Sequence, residues 1–176
     1  NLFANDTNNK TDIVVRDRRL NTTIQAGLDR SGQPITDATV TPVISGNGRF
    51  VAFNVNASLG SFCCVMVGPY VRDLVAGTTT AMPTAGGFVT GPVTLSDDGS
   101  RIAYGTVQPP PDPTTERAPY AVVVADVPSA TVIATIDSGI LTPTQYFDPA
   151  LSGDGTKVAY LFVSNGVGTL STYDLT

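Results

Sequence analysis

The chain has 176 residues, 41% of them hydrophobic and only 14% charged, which is too apolar for disorder and long enough to bury a core. A net charge of −5 and a pI near 4.4 exclude a partner held by phosphate neutralisation, so nucleic acid is not expected. With no His in the sequence, the usual general base, the commonest metal ligand and any Ser-His-Asp triad are missing.

Acidic charge comes from 14 Asp and one Glu, basic charge from eight Arg and two Lys, and Thr supplies 24 residues. This composition favours strands and turns over helices. The longest nearly apolar run, Ala118 to Val127, is about half of a membrane-spanning helix, so no span is expected. Asn1 to Thr11 lacks the basic start and apolar middle of a signal peptide, so an exported protein would be present here in its mature form. The scarcity of Lys and Glu points to an extracellular or cell-surface location, with the periplasm as the alternative. Sequons at Asn5, Asn9, Asn21 and Asn56 would accept surface glycans in a competent secretory system.

In chain order, the first feature is Asp6-Thr-Asn-Asn-Lys-Thr-Asp12, with side-chain oxygens at alternate positions as in a calcium loop. It lacks the glycine and the terminal acidic ligand, and Lys10 would repel an ion, so a solvated Asx-rich loop is expected. The next segment, Ile13-Val-Val-Arg-Asp17, is an apolar strand ending in Asp, and it recurs as Tyr70 to Asp73, Ala121 to Asp126 and Leu170 to Asp174. A small residue, Asn21, Gly77 or Ala130, lies four positions beyond the first three Asp residues and precedes a β-branched start, which predicts a hairpin.

Three nine-residue segments align without gaps: Ser45 to Phe53, Ser96 to Tyr104 and Ser152 to Tyr160. Each reads Ser-x-Asp/Asn-Gly, two further residues' spacing, then an apolar, Ala, aromatic triplet. The Asn-Gly or Asp-Gly pair is expected to supply the positive φ angles of a tight turn. Gly48, Gly99 and Gly155 are the glycines at issue. One repeat then holds four antiparallel strands, a to d, joined by an a-b hairpin, a variable b-c loop and a c-d hairpin. On this reading a single domain spans residues 1–176, with a partial blade at 1–30, blades at 38–84 and 89–137, and a partial blade at 146–176.

The order Ser-x-Asp/Asn-Gly, Val-Ala-Phe/Tyr, a loop, Tyr-Val-Arg-Asp-Leu and Gly-Thr-Thr resembles the TolB-like β-propeller repeat, a relative of WD-type blades. The resemblance implies an all-β, propeller-like array of about three to four four-stranded blades, incomplete at both ends. It leaves function open, because propellers serve as platforms, gates and enzymes. Both ends carry strand c. Either the sequence is a piece of a longer chain, or neighbouring chains complete each other's blades.

Candidate chemistry is sparse. Cys63-Cys64 is expected in a b-c loop, as an oxidised adjacent pair, as two reduced thiols or as a link to another chain. No metal or cofactor is expected, since two thiols without His do not complete a metal site. Asp137-Ser-Gly139 resembles the aspartic-peptidase tripeptide but occurs once, where a turn is expected, so no catalytic residue is assigned. Arg16, Arg18 and Arg19 form the basic cluster, and Arg16-Asp17 repeats as Arg72-Asp73, which marks a structural position. Pro109 to Pro113 is expected to be a stiff spacer. The expected function is a non-catalytic extracellular module for protein contacts, with other copies of itself as the partner. Head-to-tail assembly would use Ile13, Val15, Leu20, Ile24, Leu170 and Tyr173 as the edge. The alternative is the gate or substrate-binding propeller of a larger hydrolase whose catalytic residues lie elsewhere.

Overall fold

Glycine turns separated by short alternating runs can only be satisfied by hairpins, and hairpins are what the chain forms. A computed structural model describes residues 10–59, 62–109, 111, 118–141, 146–164 and 167–176. Strands β1 (Val14–Asp17) and β2 (Thr22–Gln25) make a two-stranded sheet. The second sheet holds β3 (Ala38–Ile44), β4 (Phe50–Leu59), β5 (Phe62–Asp73) and β6 (Thr78–Ala81). The third holds β7 (Phe88–Leu95), β8 (Arg101–Val107), β9 (Ala118–Asp126) and β10 (Thr131–Leu141). The fourth holds β11 (Tyr146–Leu151), β12 (Lys157–Ser164) and β13 (Val167–Asp174). Within each sheet, strands that are neighbours in the chain pair antiparallel, and no helix occurs among the described residues. The chain is therefore all-β, an open propeller-type array with shorter sheets at its two ends.

The three a-b turns are built alike. The turn glycine donates its N–H to the serine carbonyl three residues back, at 2.9 Å for Gly48, 3.0 Å for Gly99 and 2.8 Å for Gly155. The glycines sit at φ of 72°, 73° and 72°, but Asn47, Asp98 and Asp154 before them are not among the residues with positive φ. This corrects the expectation that the pair as a whole is left-handed. The Asx side chain acts as a cap instead. It accepts the Ser45, Ser96 or Ser152 hydroxyl at 2.6–2.7 Å and the amide of Arg49, Ser100 or Thr156 at 2.9–3.0 Å. The c-d turns are capped by the Asp that ends each third strand: Asp17 accepts from Arg19 and Leu20, Asp73 from Val75 and Ala76, and Asp126 from Ser129.

The triplet after each turn sets how the sheets stack. Side chains alternate across a strand, so the first and third residues face one sheet and the alanine faces the other. Val51 and Phe53 join a cluster with Ile13 and Ala26, which flank the first sheet, whereas Ala52 joins the cluster shared with the third. Ile102 and Tyr104 pack back onto the second sheet, and Ala103 packs forward with Val158. Large residues thus point to the preceding sheet and a methyl group to the following one, which lets the next sheet approach closely. Tyr104 is fully buried and donates its hydroxyl to the Pro83 carbonyl at 2.6 Å, and its burial raises its pKa.

The first strand of the second, third and fourth sheets is an edge strand, and each of these three carries a proline: Pro42, Pro92 and Pro149. β3 lies beside β7, and β7 beside β11. Thr41 and Gly91, each just before a proline, have positive φ, and the pairing shifts register there. Fully buried Asn54 ties the two irregularities together, donating to Thr41 Oγ1 at 3.0 Å and to the Gly91 carbonyl at 3.2 Å. The cysteine pair is placed differently from expectation: Cys63 and Cys64 lie inside β5, not in a loop. β4 and β5 pair as far as Leu59 opposite Phe62, so the ladder reaches almost to the tip of the hairpin and takes the cysteines into the strand.

Candidate interaction surface

Successive a-b turns are stitched to one another at one end of the sheets. Asn47 N–H donates to the Asp97 carbonyl at 2.8 Å, and the Asn47 side-chain amide donates to the Asp98 carbonyl at 3.0 Å. Asp97 N–H in turn donates to the Gly153 carbonyl at 2.7 Å, and Arg101 donates to the Gly155 carbonyl at 2.6 Å. The Asp97 carboxylate fits between Gly46 and Gly153, where a Cβ would come within 2.6 Å and 2.4 Å of its oxygens. Glycine in both flanking turns follows from that close approach.

The ladder is open at both of its ends among the described residues. Beside the first sheet is a wedge of two cavities, about 320 and 400 Å³, between residues 11–16 and β3. At the far end, the outer face of the fourth sheet carries a shallow depression of about 450 Å³ bordered by Ala150, Lys157, Ala159 and Thr172. A further groove of about 460 Å³ runs between the 29–37 loop and the second sheet, with Val55, Val67 and Tyr70 below and Asp29, Arg30 and Asp37 above. Asp29 shapes that loop by accepting the amides of Ser31 and Gln33, both at 2.8 Å.

The residues expected at an assembly edge separate into two groups. Leu20, Ile24, Leu170 and Tyr173 are exposed, at 72%, 46%, 71% and 46%. Ile13, at 5%, is buried within the chain's own core against Ala26, Val51, Phe53 and Val55, and Val15 packs on the same cluster. These two are therefore not free edge residues; the short first sheet already uses them to hold the second. Val75 and Val167 are more exposed than most of the expected set, at 77% and 68%.

Asp137-Ser-Gly139 lies within β10 rather than at a turn, because pairing with β9 continues as far as Leu141 opposite Ala118. Asp137 accepts from the Tyr120 hydroxyl at 3.3 Å, and Gly139 lies against the same ring. Arg16 bonds Thr23 on the paired strand at 2.9 Å and also meets the Asn21 side chain; Arg72 bonds Thr79 at 3.2 Å in the same way. The repeated arginine is thus a cross-strand tie between the third and fourth strands. Asn21 is exposed at its turn, whereas Asn56 is half-buried within β4. Asn5, Asn9 and Asp6 lie outside the described residues, as do the Cys63 and Cys64 side chains and most of the segment around Pro109 to Pro113. Among the described residues, no three Cys, Asp or Glu side chains gather as metal ligands would.

The electrostatics are those of turns and pairs. The Arg49 guanidinium grips Asp73 with two bonds of 3.0 and 2.7 Å and, with the amides of Ala76 and Val75, holds its carboxyl at about 2. Asp154 is held at about 2 by the Ser152 hydroxyl and by Thr156. Asp98 is lowered by Ser96, Asp126 by Ser129, and Asp174 by Lys157 at 2.5 Å. Each of these five carboxylates favours its charged form, whereas a general acid needs its pKa raised toward the working pH.

No family model and no curated protein matches the chain. Solved structures do match it. A structure of prolyl endopeptidases matches at a TM-score of 0.60 and 19% identity, covering 94% of this chain and 25% of that one. The β-propeller domain of the Trilobed protease from Pyrococcus furiosus, described as having an open velcro topology, matches at 0.52 and 12% identity, covering 92% and 48%. A putative TolB from Agrobacterium tumefaciens matches at 0.51 and 13%, covering 94% and 50%. At these identities the likeness shows the fold, a propeller of the kind found in TolB and in peptidases. The chain spans between a quarter and a half of these three structures.

Proposed function

We propose that this chain is a non-catalytic β-propeller module that makes protein–protein contacts through the open faces at the two ends of its sheet stack, at the cell surface or in another extracytoplasmic space. The observation that carries the reading is the pairing of two unfilled surfaces. One is the wedge beside residues 11–16; the other is the fourth sheet, with Leu170 exposed on its outer face and Val167 and Tyr173 exposed along its last strand, β13. Propeller sheets normally cover both faces with neighbours, so an uncovered apolar face is an interaction surface. A second copy of the chain supplies one source of partner strands.

A second reading is supported by the propeller-containing peptidases among the matching structures. Here the chain is the gate or substrate-binding part of a larger hydrolase, and the catalytic groups lie outside these residues. The two readings share the contact surfaces and differ in what is attached to them.

The chain's two lysines make the test direct, because Lys10 and Lys157 lie near the two open ends and both are exposed. Amine-reactive cross-linking of native material followed by peptide mapping is expected to join Lys157 to polypeptide beyond these residues or to a second copy. Recovery of Lys157 carrying only dead-end modifications would oppose the proposal.

A further inference from the structure

The wedge beside β1 can be matched to a particular occupant, an inference that rests on the interaction reading above. The two filled steps of the turn ladder obey one rule: the side chain two residues after a turn glycine lies over the turn glycine of the next sheet. Phe50 lies over Gly99, where a Cβ would meet its ring at 2.1 Å, and the Arg101 stem lies over Gly155, where a Cβ would meet it at 3.0 Å. Gly48 has the same left-handed backbone, at φ +72°, but no atom within 4 Å of its Cβ position. Among the described residues, its place in the ladder is empty.

The surroundings of Gly48 have the features of a strand-pair site. The wedge is lined by Ile13, Val15, Val43, Ile44 and Val51, of which Ile44 stays 49% exposed and is the apolar side chain a preceding sheet would cover most. Asp12, on the same wedge, has a buried carboxylate oxygen without a hydrogen-bond partner. β1 is paired with β2 on one edge and, among the described residues, with no strand on the other. The surface continues the interface that already joins the second, third and fourth sheets.

We propose that the wedge binds a β-hairpin of the repeat's own chemistry, in which a Ser-x-Asp/Asn-Gly turn is followed two residues later by Arg or a large apolar side chain. Its second strand pairs antiparallel with β1, its turn donates to the Gly46 carbonyl, and its post-turn side chain lies on Gly48. An intact second copy does not offer such a hairpin. Its β12 is already paired with β13 from Lys157–Asp174 to Ser164–Val167, and its β8 is paired with β9 along its whole length.

The test uses a fluorescent peptide copied from Phe88 to Val107 and added to the 176-residue chain. A disulfide between added terminal cysteines holds the hairpin closed, since an isolated hairpin is marginal in water. Anisotropy is expected to show saturable binding. Gly48→Asn should weaken it at least tenfold, because Asn tolerates the left-handed backbone but fills the vacant position. The peptide variant Arg101→Gly should weaken it similarly. Gly86→Asn, at another open left-handed glycine with φ +83°, should leave it unchanged. Absent binding, or equal affinity for the Gly48→Asn chain, would overturn the proposal. So would self-association of the chain that Gly48→Asn abolishes and the peptide does not compete, since a second copy would then be the occupant. If the peptide fails while Lys157 still cross-links to a partner, the hairpin proposal falls and the interaction reading stands.

Discussion

Gly48, Gly99 and Gly155 share one backbone conformation and meet three different environments, which separates the cost of the conformation from that of the contact. A β-branched residue at such φ is strained by roughly 1–2 kcal/mol. Gly48→Val is expected to cost about that much, since nothing lies within 4 Å of its Cβ. Gly99→Val adds a collision with the Phe50 ring and should cost about 3 kcal/mol or more, with Gly155→Val between the two. Urea melts of the three variants check the order, and equal losses would mean that the ladder contact carries no energy. The glycines were legible in the sequence; the role of the residue before them was not. Asn-Gly opens both a two-residue turn and a longer turn with one left-handed residue, and the choice is made by the serine hydroxyl bonding back to the Asx side chain. Asp73 provides a pH test at the same scale. Its folded pKa of about 2 lies below the ordinary 3.8, so its contribution is present above about pH 4 and is lost as pH falls from there toward 2. The melting temperature should fall across that window in the wild type and fall less in Asp73→Asn; parallel curves would contradict the assignment.

At the element scale, the triplet after each turn places a methyl group where the next sheet approaches. Ala52 and Ala103 are fully buried between sheets, whereas Ala159 faces the outer side of the fourth sheet. Ala52→Leu and Ala103→Leu are expected to destabilise by about 1–3 kcal/mol through overpacking, and Ala159→Leu to have little effect in the 176-residue chain. Thermal melts of the three proteins check this; a loss at Ala159 equal to the others would show that its face is covered. Strand starts were legible because a turn and a triplet announce each of them. Strand ends were less so. β10 runs past Asp137 because register shifts at Val132/Ala134 and Thr135/Asp137 keep it paired after its alternation breaks. The apolar run from Phe62 to Met66 has no alternation to read, so backbone pairing with β4 decides that Cys63 and Cys64 belong to a strand. The prolines of the first strands were a missed signal, since three of them, each three or four residues before a turn serine, mark edge strands.

At the scale of the molecule, the repeat made the grouping of strands legible because each sheet is one copy of a local pattern. Which exposed residues form an interaction edge was not legible. Ile13 and Val15 read as a strand that needs a partner, and the second sheet is that partner. Burial between sheets depends on stacking, which no single repeat encodes. The central claim is that the open faces of this stack are covered by other polypeptide in the native protein. Native mass spectrometry of material purified from its source tests this most directly. The account predicts a species heavier than 18.3 kDa, with a second, denaturing measurement separating a longer chain from an assembly of copies. A single, stably folded species of 18.3 kDa that stays monomeric at high concentration would contradict it.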